Sequence, residues 1–261
     1  MGYFSQRKRR ERENLFIKVM IVLLGMLAVL ALFDTAGSPW LEALDRGGFQ
    51  YFVVALAVFV FALWRQRFLY AFWLLLIVLA DYGHLASAAP IFRNADVAGD
   101  KRVSIVYRPG EAPSVRQAPS DLLRAGRINL TPDYQAHFSD VQIENKEISV
   151  VSLDLEQISA EEKDLAFENL ARFIQSKDIP VVLIGNLGEP AWSDRIKSFL
   201  NQTSLQVKNR ILPITRHSEF NPFAVPQYNI LGFKNVGVDS VKVLPQKEDR
   251  TFSLTAEILF Y

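Results

Sequence analysis

Three long apolar runs before residue 90 constrain this chain more than any motif does, because backbone in hydrocarbon finds no water and must pair with itself. Residues 15–33 (LFIKVMIVLLGMLAVLALF), 49–64 (FQYFVVALAVFVFALW) and 68–80 (FLYAFWLLLIVLA) carry one charged side chain between them, Lys18. The first is long enough to cross about 30 Å of hydrocarbon as a helix, and Lys18 near its end can snorkel to the interface. The other two are shorter and only Arg65, Gln66 and Arg67 separate them, a spacing that predicts a tight helical hairpin. The third gains length by continuing through Asp81 toward Ser87. We therefore expect a basic cytoplasmic tail at 1–14 and a transmembrane region at 15–88 with spans near 15–33, 49–64 and 68–86.

Lys and Arg set the orientation. They crowd QRKRRER before the first span and RQR between the second and third, whereas the loop between the first and second has one Arg. Tail and short loop belong in the cytoplasm, and an odd number of crossings puts everything after residue 85 outside: a multi-pass protein of the cytoplasmic (inner) membrane, with a periplasmic domain if the source is a Gram-negative bacterium. A nucleic-acid-binding tail is the competing reading, and the positive-inside signal is the simpler one. ASA at 86–88 resembles a processing site, although the first apolar run exceeds a signal-peptide core. Trp40, Trp64 and Trp73 are expected at the interface or facing lipid. Asp81 and His84 near the outer end of the third span are read as solvated rather than as an ion site.

The rest of the chain is charged and alternating. Over the whole chain 29 basic and 28 acidic residues give no overall pull toward nucleic acid, and the lack of cysteine excludes disulfide and thiolate chemistry. Residues 89–134 read as linker and irregular chain with one strand at 101–108, and 109–120, rich in Pro and Gly, as loop. From 135 the pattern is regular. FSDVQIENKEISVVSLDL (138–155) reads as two strands joined around Asn145 and Lys146, and ISAEEKDLAFENLARFIQS (158–176) as an amphipathic helix with a capping box, Ser159 and Glu162. Val181–Ile184 is a strand covered on both faces, Gly185 and Gly188 permit a tight turn, and Ile196, Phe199 and Leu200 mark the inner face of the next helix. QYNILGF, VGVDSVKVL and TFSLTAEILFY are three further strands. The fold class expected is α+β: a three-helix membrane region, then a mixed sheet or two-sheet sandwich with flanking helices.

Several of these segments, in this order, resemble the endonuclease/exonuclease/phosphatase superfamily of metal-dependent phosphodiesterases. IPVVLIGNLGEPAWS (179–193) is similar to the family's P-V-I-L-x-G-D-F-N-x-x-P-W-S block, ISVVSLDL (148–155) to its strand ending in His-Leu, QYNILGF (227–233) to its I-D-H/Y-I-L strand, and EDRTFSLTAEI (248–258) to its closing S-D-H block. An amino-terminal set of membrane helices is also known in the family. The resemblance covers about residues 135–261 and implies that fold, with a shortened amino-terminal half of which KRVSIVYRPG is a remnant.

Carried over by position, the family's chemistry mostly fails. Asn186 and Gly188 stand where the resemblance implies Asp and Asn, and Asp154 where it implies a phosphate-stabilising His. Tyr228, beside Asn229, stands in place of an Asp, and Asp249 followed by Arg250 in place of Asp-His. Hydrolysing a phosphodiester with a hard divalent ion needs several anionic oxygen ligands and a group that activates water. Asn keeps the shape of Asp and loses its charge and basicity. We therefore expect a membrane-anchored pseudoenzyme that binds or scaffolds, with the lipid bilayer and an envelope protein or surface component as partners, no nucleic acid and no cofactor. The alternative is a magnesium- or manganese-dependent phosphodiesterase or phosphatase with a site rearranged around Asp154, Asp249, His137 or His217. No G-x-S-x-G elbow and no P-loop G-K-S/T is present. EFNPFAVPQY (219–228) is read as sheet-edge packing, an interaction surface being the rival, and EEKD (161–164) as a solvated helix start.

Overall fold

A computed structural model of the chain describes residues 2–30, 47–90, 101–116, 120–210, 228–245 and 252–260. The chain divides into two compact units, Met1–Ser87 and Ala88–Tyr261.

The first unit is helical: α1 (Gly2–Leu30), α2 (Gly48–Trp64) and α3 (Phe68–Ala88). α1 runs without a break through the expected tail and into the expected first span. No Gly or Pro interrupts residues 3–24, and Arg, Lys, Glu and Gln prolong a helix as readily as Leu. The predicted hairpin turn is present. Gln66 takes a left-handed φ of 54°, and the Arg67 N–H donates to the Ala62 carbonyl at 2.9 Å. Arg65 pairs with Glu13, and a Cβ on Gly25 would lie 3.7 Å from Ile77 Cδ1. The same number of residues separates Glu13 from Gly25 as separates Arg65 from Ile77, so α1 and α3 run side by side in one direction and α2 returns between them. Among the described residues one helix, Phe68–Ala88, is long and apolar enough to cross a membrane, and Gly48–Trp64 is a shorter apolar helix. The end of the expected first span, residues 31–33, lies outside the described residues.

The second unit holds two sheets and two helices among the described residues. The strands are β1 (Lys101–Tyr107), β2 (Ser114–Arg116), β3 (Ser120–Asn129), β4 (Gln135–Ile143), β5 (Lys146–Asp154), β6 (Val181–Asn186), β7 (Gln206–Val207), β8 (Tyr228–Gly232), β9 (Val236–Pro245) and β10 (Phe252–Phe260). The helices are α4 (Ala160–Gln175) and α5 (Asp194–Thr203). One sheet is ordered β2-β1-β10-β9 and the other β3-β4-β5-β6-β8-β7. Among the described residues only β5 and β6 pair in parallel, joined by the α4 crossover. The sheets face each other across a core that includes Ile105, Tyr107, Val150, Ile184, Ile230, Leu254 and Ile258. On the other face of the larger sheet Phe138 meets Phe173 of α4, and Phe167 of α4 meets Phe199 of α5. This mixed α+β architecture with two sheets is the one expected.

Differences fall where strands lie at edges. Residues 89–134, expected to be linker with a single strand, contain β1, β2 and β3, and β2 lies inside the stretch read as loop. β2 is only three residues long and β3, SDLLRAGRIN, shows no period-2 alternation, so neither was readable from its pattern; both are outermost in their sheets. β1 was legible as a strand, but its pairing with β10, at the far end of the chain, was not. On α5 the inner face is Ile196, Phe199 and Thr203. Leu200 is only half-buried.

Candidate functional site

The loop after β6 and the strand ends beside it form the candidate site. Asp154 is the last residue of β5, Asn186 the last of β6 and Tyr228 the first of β8. In the ladder Asp154 pairs with Asn186, and Asn186 with Tyr228. Cross-strand partners share a face, so these three positions of the resemblance form a row across the rim of the sheet. Asn229 pairs with Gly185 one step inward and, by alternation, belongs to the opposite face. Gly188 sits in the loop. His137 pairs with Ser152, two residues before Asp154 on the same strand, so it shares the row's face at a deeper level. Asp249, Arg250 and His217 lie outside the described residues, as does most of 219–228.

Each member of the row is occupied with structure. Asn186 is fully buried; its Oδ1 accepts the Gly188 N–H at 2.8 Å and its Nδ2 donates to Glu156 Oε2 at 3.3 Å. Asp154 Oδ1 accepts the Glu156 N–H at 3.1 Å. Behind the row stands Tyr107, which is 1% exposed. Its hydroxyl donates to the Leu153 carbonyl at 3.1 Å and its ring lies 6.5 Å from that of Tyr228. Burial first, then the charge of Asp154, Tyr228 and Glu156, pushes the Tyr107 hydroxyl far above its ordinary pKa of 10.0, against an opposing hydrogen bond with the Asn186 backbone. Asn209 clamps β8, accepting the Ile230 N–H at 2.7 Å and donating to the Tyr228 carbonyl at 3.4 Å.

The loop itself is held by a buried ionic network. Glu189 Oε1 accepts from Arg195 Nη1 at 2.7 Å and from Lys163 Nζ at 3.3 Å. Lys163 also donates to the Gly188 carbonyl at 2.9 Å, and Arg195 Nε to Asp164 at 2.7 Å. The first turns of α4 and α5 are thereby tied to one loop. Gly188 has φ +66°, and a Cβ there would fall 2.6 Å from the Leu155 carbonyl oxygen. The turn therefore needs glycine. Trp192 beneath it is fully buried.

Two carboxylates, Asp154 and Glu156, reach this rim with an amide and two phenols. Among the described residues no three His, Asp or Glu side chains stand close enough to hold a metal ion, and a hard divalent ion takes about six oxygen ligands. The described residues of the rim do not by themselves make up such a set, and Asp249 and His217 lie outside them. What the described side chains offer is hydrogen bonding and aromatic surface. Sequence reasoning missed Tyr107, Glu156, Glu189 and Asn209. Glu189 was visible inside the G-N-L-G-E-P block, whereas Tyr107 reaches the rim only through the pairing of β1 with β10.

No family profile and no curated protein matches the sequence. Among solved structures, the chain is similar to an endonuclease/exonuclease/phosphatase family protein from Bacteroides thetaiotaomicron, with 12% identity over 60% of this chain and 74% of that one and a TM-score of 0.44. It is similar to a mannosyl-6-phosphatase of the same organism, with 12% identity over 60% and 77% and a TM-score of 0.43. It is also similar to the human Nocturnin catalytic domain with bound sulfate, with 15% identity over 61% and 73% and a TM-score of 0.41.

Proposed function

We propose that this chain is a membrane-anchored binding or scaffolding protein whose exported domain keeps a phosphodiesterase-like sheet without phosphodiesterase chemistry. The observation that carries this reading is the engagement of Asn186: both polar atoms of its amide are spent on Gly188 and Glu156. At this rim Asn186 closes a loop, and water activation would need a free base. The buried Tyr107 hydroxyl, raised in pKa and bonded to a carbonyl, takes no proton near neutral pH. The partner we favour is an envelope protein or surface component that reads polar groups and aromatic surface at the rim.

Anchoring is supported by the first unit. Leu15, Phe16, Val22, Met26, Val60, Leu69, Phe72 and Leu79 are each more than half exposed, which water would penalise by about 25 cal/mol for every Å² and lipid would not. The parallel course of α1 and α3 fits two crossings in one direction with α2 returning, the Arg65–Glu13 pair lying on the cytoplasmic side.

The competing reading, a magnesium- or manganese-dependent hydrolase, draws on the meeting of Asp154 and Glu156 near Tyr107. Titrating either ion into the full-length protein in detergent, with melting temperature and hydrolysis of an activated phosphodiester both followed, separates the two. We expect no metal-specific shift and no turnover. A chelator-reversible rise in melting temperature, with turnover that Asp154→Ala abolishes, would overturn the scaffold reading.

A further inference from the structure

The larger sheet ends at β3, which hydrogen-bonds to β4 on one side and to no other described strand on its second. Along this edge Asp121, Leu122, Leu123, Arg124, Ala125 and Arg127 are all exposed. Leu122 is 63% and Leu123 47% exposed, and with Leu165 these are the exposed large hydrophobics among the described residues of the second unit. The ladder with β4 shifts register between Leu122 and Arg124. The Arg124 guanidinium lies over the Phe138 ring, 5.6 Å from its centroid, and neither Arg124 nor Asp121 makes an ion pair among the described residues. Gly126 has no side chain to hold a neighbour away.

We propose that β3 pairs antiparallel with β3 of a second copy of this chain, about a two-fold axis between Leu122 and Leu123, so that the sheet continues across two molecules. The order Asp-Leu-Leu-Arg is self-complementary under that operator. Asp121 stands opposite the partner's Arg124, Leu122 opposite the partner's Leu123, and Ser120 opposite the partner's Ala125; the symmetry repeats each contact. Opposite charges directly across an antiparallel pair are favourable and like charges unfavourable. Charges and bulges on an edge strand usually discourage pairing. Here the two charges are spaced so that a second copy neutralises both, the two leucine pairs between them are shielded, and the open N–H and C=O groups of the edge find partners.

The test uses the full-length protein in detergent, with its mass followed by analytical ultracentrifugation across concentration. The wild type is expected to dimerise. Asp121→Arg and Arg124→Asp each place like charges at both symmetric contacts, and each is expected to weaken the dimer about tenfold or more. The double variant D121R/R124D reverses every pair and is expected to restore wild-type association. Both positions are exposed, so unchanged melting temperatures verify the fold. A monomeric wild type, single variants that dimerise as tightly as wild type, or a double variant no better than the singles would each overturn the proposal. None of these outcomes depends on whether the rim binds metal.

Discussion

Glu189 shows how a single side chain holds the candidate site in place. It is nearly fully buried and accepts from both Lys163 and Arg195, and removing one member of such a pair strands the other charges in a poor solvent. Glu189→Gln keeps the volume and removes the charge. We expect it to cost about 3 kcal/mol, read as a fall in melting temperature of roughly 6–12 °C; an unchanged melting temperature would show that the network is not structural. His137 makes a prediction in pH. Burial, and then the charge of Arg127, hold its imidazole below the ordinary 6.5. The folded state therefore binds fewer protons than the unfolded state, and the stability this provides is present above pH 6.5 and is lost as pH falls through the lowered value. His137→Gln should flatten that acid limb in a melting-temperature profile while leaving the curve above neutrality in place.

At the scale of elements, the readable parts were those whose local pattern carries their reason. Ser159 accepts the Glu162 N–H at 3.3 Å, as the capping pattern predicts, while its hydroxyl, not its backbone N–H, donates to Glu162 Oε2 at 2.9 Å, and Phe167, Leu170, Ala171 and Ile174 are buried together on one face of α4. Replacing Ser159 by Ala should cost about 1 kcal/mol in thermal unfolding, and Ser159→Asp should recover most of it. The β4–β5 hairpin was equally legible, its turn carrying Glu144 at φ 55°. β2 and β3 were not, because the three residues of β2 are too few to show a period and SDLLRAGRIN of β3 has no alternation to read, whereas β9, equally at a sheet edge, was read from VGVDSVKVL.

For the whole molecule, topology is the property that matters most. Reporter fusions after residues 40, 66 and 100 should place 66 in the cytoplasm and 40 and 100 outside, since Arg65 and Arg67 share a side with the basic start of α1. A cytoplasmic reporter at 100 would overturn the proposed export of the second unit and the proposed envelope partner with it. Cleavage at ASA would need an extended chain, and Ala86, Ser87 and Ala88 are the last residues of α3. The full-length mass should therefore persist in membranes.

By itself the sequence determined the apolar runs, the helices with caps and stripes, the buried strands, and the uncharged side chains of Asn186 and Tyr228. Each of these is written in side-chain chemistry or in a period of 2 or 3.6 residues. Only the tertiary structure decided that β1 closes against β10, that Tyr107 thereby stands behind Asp154, Asn186 and Tyr228, and that Glu189 gathers Lys163 and Arg195 beneath the loop. Those are contacts between residues distant along the chain, and they exist only once the sheets have paired and desolvation has made each polar group find a partner.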